Sequence, residues 1–200
     1  MDRCPSKNGC RIIGSPRLIQ SVRICVWSTA VLLNRMPLEL PDRQYLRAAQ
    51  GYLELEMYSE AAEELGKIDP TCLAVPEVLL VRLWVYAGIQ DWGMMQSVAK
   101  RLSGRDPKNA QWVISAAYAT RRAESIAAAK SILTKALELH PEEAAIHYNL
   151  ACYECQMGNL SDAKKHLMQA TKADVKFKAM ALDDPDLEPL WEEIGRLEAE

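Results

Sequence analysis

The residues best suited to chemistry in this chain are its six cysteines, and two of them, Cys152 and Cys155, stand as a single C-x-x-C. That spacing serves thiol exchange in a thioredoxin-like strand and helix context, and it holds zinc when further Cys or His complete the ligand set. Neither context is written here. Cys4, Cys10, Cys25 and Cys72 are scattered, and His140, His147 and His166 lie at no ligand spacing from the pair. Residues three apart share a helix face, so a small apolar lining is the first reading of the pair, with a redox or metal protein as the alternative. Asp183-Asp184-Pro185-Asp186 has the look of a calcium run, but its loop would need Gly at the sixth place and Glu at the twelfth, where Glu188 and Ile194 stand. The chain also has no glycine-rich phosphate loop and no G-x-S-x-G. The expectation is therefore a protein that is not an enzyme, with no catalytic residue, no cofactor and no metal.

Composition limits what can position these residues. With 49% hydrophobic and 26% charged residues the balance is that of a globular chain, not a disordered one. A single Phe among many Ala, Leu, Glu and Lys favours helices over sheets. Residues 1–35 carry six basic side chains against Asp2 alone, a charge of +5, which leaves −8 of the total −3 for the remainder. An acidic body argues against nucleic acid, whose phosphates need a cationic face. The apolar run Ile24–Leu33 is about ten residues, where a membrane span takes about 20. Basic residues before that run resemble a secretory signal, but Asn34-Arg35-Met36-Pro37 follows in place of small cleavage-site residues. Residues 1–35 are accordingly expected to be a poorly ordered basic extension, or the start lies at Met36, where charge, Cys frequency and periodicity all change. The cysteines form no regular disulfide framework, which suits a reducing compartment and a cytoplasmic protein.

The periodicity is specific. Ala49, Leu83, Ala117 and Ala151 are successive steps of 34; so are Ala61, Met95, Ala129 and Ala163, then Leu65, Ala99, Leu133 and Leu167, then Ile68, Leu102, Ala136 and Ala170. Within each period the apolar positions fall three or four apart in two runs, which makes each unit a helical hairpin. Gly88 and Gly158 punctuate the hairpins, and Asp69-Pro70, Asp106-Pro107 and His140-Pro141 separate the units, because proline cannot continue a helix. Small side chains at 49, 61, 117, 129, 151 and 163 allow helices to cross at about 8–10 Å.

This pattern resembles the tetratricopeptide repeat family, with units at 42–75, 76–109, 110–143 and 144–177. Tyr45, Ala49, Tyr52, Ala61 and Leu65 match its unit in the first; Leu83, Tyr86 and Pro107 in the second; Ala117, Ala129, Leu133, Ala136 and Pro141 in the third; Leu150, Ala151, Gly158, Ala163, Leu167 and Ala170 in the fourth. Departures are Pro70, three residues early, Thr120 and Glu154 where Tyr is usual, and Met95 for Ala. The resemblance implies an all-α solenoid of four hairpins. Residues 178–200 are read as a C-terminal cap, with its helix over 188–197, covering the apolar face that a terminal repeat leaves open.

The resemblance also implies a site. Its ligand-facing positions on the first helix of each unit give a partner-binding groove of Leu46, Gln50, Leu80, Trp84, Ile114, Tyr118, Arg121, Arg122, Tyr148, Cys152, Cys155 and Gln156. Aromatic residues and arginines are the usual anchors of an interface, so the expected partner is a protein or peptide with apolar anchors and an acidic group. The family's clamp for the C-terminal carboxylate of chaperones needs Lys and Asn where Leu46 and Gln50, or Leu80 and Trp84, stand, and is not expected. A scaffold or adaptor is the leading reading, and a holding chaperone for secreted clients, of the type III secretion kind, is the other binding role.

Overall fold

Four helical hairpins follow one another along the chain in the computed structural model, which describes residues 38–196; the basic stretch 1–35 and a start at Met36 lie outside the described residues. The first pair is α1 (Asp42–Glu54) and α2 (Tyr58–Gly66), the second α3 (Pro76–Gly88) and α4 (Trp92–Arg105). The third is α5 (Ala110–Ala123) and α6 (Ile126–Ala136), the fourth α7 (Ala144–Gln156) and α8 (Leu160–Ala173). The first helices begin at 42, 76, 110 and 144, so the 34-residue step of the sequence is also the step of the structure.

Local chemistry sets the helix ends. The Met94 amide donates to Asp91 (3.0 Å), the Gln111 amide to Asn109 (3.0 Å) and the Ala128 amide to Ser125 (3.1 Å), each satisfying a first-turn N–H that has no partner inside its helix. Proline supplies the first residue of α3, where its missing N–H costs nothing. The turns inside the hairpins repeat as well. Glu56 (φ 60°), Gln90 (φ 61°) and Gly158 (φ 81°) are left-handed, and they stand at the same place of units one, two and four. The third unit differs, its turn passing through Glu124 at φ −126°. In the first unit, α2 stops after nine residues and Pro70–Cys72 forms a 3₁₀ turn capped by Asp69.

The small-residue rows lie where the helices touch. Ala49, Ala61, Ala117, Ala129, Ala151 and Ala163 are fully buried, and Met95 is buried in the equivalent row. The first helices α1 and α3 pack on one another, as do α5 and α7, more extensively than successive second helices do, which sets the inner side of each half of the stack, and α4 against α5 joins the halves. The core has two bodies that meet in α5. Its Trp112, Ala116 and Ala119 face the core of the first two units, and its Ala110, Ile114 and Ala117 face that of the last two.

The chain is thus an all-α solenoid of four hairpins with a C-terminal cap, with no strand among the described residues. The cap differs from the sequence reading, which gave it one helix over 188–197. It consists of α9 (Lys176–Asp183), a 3₁₀ stretch at Pro185–Leu190 and α10 (Trp191–Arg196). Pro185 and Pro189 explain the difference, since a proline inside an α-helix removes one hydrogen bond and clashes with the turn before it. Phe177, Ala181, Leu187, Leu190 and Ile194 bury themselves against the fourth unit.

Candidate functional site

The inner side of the last two units gathers a set of interlocked polar side chains. Arg121 lies in the last turn of α5, Tyr148, Cys152 and Gln156 lie one turn apart along α7, and the Asp184–Asp186 bend of the cap crosses in front of them. The Tyr148 hydroxyl donates to Asp184 Oδ2 (2.8 Å), and the Cys152 thiol approaches the same oxygen at 3.6 Å. Asp184 Oδ1 accepts from the Asp186 amide (3.0 Å) and so caps the 3₁₀ stretch that follows. The Arg121 guanidinium takes Asp186 with both terminal nitrogens, Nη2 to Oδ1 at 3.0 Å and Nη1 to Oδ2. Gln156 Nε2 donates to the Asp186 backbone carbonyl (3.2 Å). Fork-to-fork pairing of this kind fixes direction as well as charge.

Burial governs the titration of this cluster. It pushes the Cys152 thiol well above its usual range, with the Asp184 and Asp186 charges adding to the rise, and it raises Cys155 too. A redox or nucleophilic cysteine needs the opposite shift, since the thiolate is the reactive form. Burial raises Asp184 as well, against the bonds from Tyr148 and the Asp186 amide that favour its charge. Burial also works against the Arg121 charge, but the bond and charge of Asp186 more than offset it and its pKa rises. The Cys152 sulfur and one oxygen each of Asp184 and Asp186 lie within 4.8 Å of one another, close enough to share a metal ion. As folded, however, the guanidinium is the cation of this cluster and the Tyr148 hydroxyl donates to Asp184, so the carboxylates are engaged by the chain's own donors.

A second aromatic group sits one turn away. Tyr118 meets the Trp92 ring edge to face (centroids 5.8 Å, planes at 80°), and the Arg122 guanidinium lies 5.1 Å from the Trp92 centroid and 5.8 Å from that of Tyr118. All three side chains are half-buried. Cation–π contact of this kind, rather than an ion pair, holds the Arg122 head.

The residues read from sequence divide accordingly. Arg121, Tyr148, Cys152 and Gln156 come together around the Asp184–Asp186 bend. Tyr118 and Arg122 form their own group with Trp92. Leu46, Trp84, Ile114 and Cys155 are buried, and Gln50 and Leu80 are half-buried. Trp84, expected as an aromatic anchor of the groove, is 8% exposed within the core of the first two units, and Tyr148 is 1% exposed with its ring 5.0 Å from that of Phe177. Tyr118 is the member of that aromatic set which keeps part of its surface. Sequence reasoning missed Trp92, Asp184 and Asp186. Trp92 opens the second helix of its unit, at a place of the repeat outside the ligand-facing positions of the first helices, and the two aspartates were weighed only as calcium ligands. The charge match between Arg121 and an acid 65 residues later is invisible to periodicity.

Comparison with known proteins follows the same geometry. Residues 121–182 match the tetratricopeptide repeat family model. The stretch from the end of α5 into α9 is thus tetratricopeptide repeat sequence. No curated protein matches the sequence. Among solved structures, the array of hairpins is similar to MamA MSR-1 C2, with a TM-score of 0.59 and 18% identity over 80% of this chain and 94% of that one. It is also similar to the MamA RS-1 ArsTM double mutant, with a TM-score of 0.60 and 16% identity over 82% of this chain and 87% of that one. At these identities the likeness is one of fold. No helix among the described residues of the array is long and apolar enough to cross a membrane.

Proposed function

We propose that this tetratricopeptide array is a non-enzymatic interaction scaffold that holds a peptide segment of a partner protein along the inner row of first helices. The observation that carries this reading is the half-exposed Trp92, Tyr118 and Arg122 group beside that row. Rigid aromatics and arginine lose little conformational freedom on binding and recur as the energetic centre of interfaces. Leu80 and Gln50, both half-buried, extend the same side toward the first unit, so the segment that fits has apolar anchors and an acidic group for Arg122. Leu46, Trp84 and Ile114 serve as a floor that fixes the shape of the row. Cys72, Cys152 and Cys155 are free thiols, the state that a reducing compartment maintains, and we place the scaffold in the cytoplasm.

Affinity capture from native extract, quantified by mass spectrometry, tests the reading. Wild type is compared with the Leu80→Glu, Arg122→Glu variant, which changes the row without emptying the core. Specific capture falls at least about tenfold with far-ultraviolet circular dichroism unchanged. Capture that persists at full strength in a folded variant removes the inner row from the function.

A further inference from the structure

The Asp184–Leu187 bend touches α5 and α7 in the manner of a bound ligand. Side chains of the helices donate, while two carboxylates and one backbone carbonyl of the bend accept: Tyr148 and Cys152 to Asp184, Arg121 to Asp186, and Gln156 to the Asp186 carbonyl. Leu187, next in the chain, is fully buried and acts as the apolar anchor. These features reproduce the ligand chemistry expected of the concave face, a peptide with acidic groups and an apolar side chain.

Closing the end of the stack does not need this arrangement. Phe177, Ala181, Leu190 and Ile194, outside the bend's polar contacts, are buried in the core of the last two units, and apolar residues in place of Asp184 and Asp186 would extend that cover without burying charge. Half-buried carboxylates across a polar strip are instead what a recognition contact contains. The Tyr153 hydroxyl adds a second observation. It is buried without a hydrogen-bond partner, in the charge field of Arg121, Cys152 and Asp186, and the Arg121 guanidinium stands 5.4 Å from its ring centroid. The cap thus leaves one buried donor of this subsite unused, at a desolvation cost that a better-fitted ligand would recover.

We propose that the trough of Arg121, Tyr148, Cys152 and Gln156, between the third and fourth units, is a subsite for an acidic extended peptide of the Asp-Pro-Asp-Leu kind, with residues 184–187 of the chain itself as its resident occupant. A partner peptide of that chemistry binds there by displacing the bend. This rests on the concave-face reading above and names the chemistry of one subsite within it. The bend is tethered through α9, so its local concentration is on the order of millimolar and a free peptide competes poorly until the bend lets go.

The test uses the full chain and a fluorescein-labelled peptide of residues 182–190, Leu-Asp-Asp-Pro-Asp-Leu-Glu-Pro-Leu. Asp184→Asn combined with Asp186→Asn weakens the bend's hold and leaves the helical side chains intact. A site filled from within nine-tenths of the time binds an outside ligand about tenfold more weakly. By fluorescence anisotropy the double variant therefore binds the probe about tenfold or more tighter than wild type, and adding Arg121→Gln abolishes the gain. Iodoacetamide labelling of Cys152, mapped by mass spectrometry, rises in the double variant and falls again when the probe is added. If the double variant loses helicity, Asp186→Asn alone, which keeps both contacts to Asp184, is read in the same two ways. Cys152 that opens while the probe stays unbound makes the bend a cap only and overturns the proposal. Cys152 that stays closed with no binding gained, or dimers formed by exchanging the bend, overturns it equally. If capture depends on Leu80 and Arg122 while the probe fails at Arg121, the scaffold reading stands and only this subsite falls.

Discussion

Two glycine-to-alanine changes in first helices are expected to move stability in opposite directions, and the tertiary contact alone decides the signs. Gly51 lies inside α1 and a methyl group there meets nothing within 4 Å. Gly51→Ala therefore collects the helix-propensity gain, about 0.5–1 kcal/mol. Gly88 is the last residue of α3, and a methyl group there collides with the root and near edge of the Tyr58 ring, the first residue of α2. The colliding atoms include Cγ, next to the ring's attachment, so rotating the ring does not relieve the overlap. Either Tyr58 leaves its half-buried site or α2 and α3 move apart. Overpacking of this kind costs about 1–3 kcal/mol, and the propensity gain at a helix end is smaller than in its interior, leaving a net loss of about 1–2 kcal/mol. For a chain of this size 1 kcal/mol corresponds to about 2–4 °C in Tm. Thermal unfolding followed at 222 nm should thus place Gly51→Ala about 1–4 °C above wild type and Gly88→Ala about 2–8 °C below it. A Gly88→Ala protein as stable as wild type would refute the close approach of successive hairpins on which the shared inner row depends.

Other expectations follow from single contacts. Ala129 is fully buried in the second-helix row, so Ala129→Leu lowers stability by about 1–3 kcal/mol in urea unfolding, and a neutral result would mean that no helix crosses there. The His147 and His166 Nδ1 atoms lie 3.0 Å apart between α7 and α8, with Glu154, Asp162 and Lys130 around them. Burial, and then the His147 charge, pull His166 below its ordinary 6.5. The folded state then binds fewer protons than the unfolded one, so this contribution is fully present above pH 6.5 and is lost as pH falls from there through the lowered folded value. Wild type is expected to lose more Tm between pH 7.5 and pH 5.5 than His166→Gln, and parallel curves would show that the pair does not titrate this way.

The array itself was legible in the sequence because its cause is local and repeated. Apolar residues three and four apart make helices, proline and glycine end them, and a small residue returning every 34 positions marks where backbones cross. Each cause acts within one or two turns of chain, so Ala49, Ala117 and Ala151 announce the crossing on their own. Four units in one register also dictate that first helices share a side, from which residues as distant as Gln50 and Gln156 belong to one surface.

Tertiary structure decided which members of that surface remain available. Trp84 and Tyr118 occupy the same place in successive units, yet one is enclosed in the core of the first two units and the other keeps a partly open face beside Trp92 and Arg122. The same holds for Arg121, whose partner Asp186 comes from a bend beyond the last repeat. A periodic pattern records what neighbouring turns require of one another. It holds no information about a single non-repeating segment that folds back across the stack, because loop closure over such a distance is settled only by the summed packing of everything between its ends.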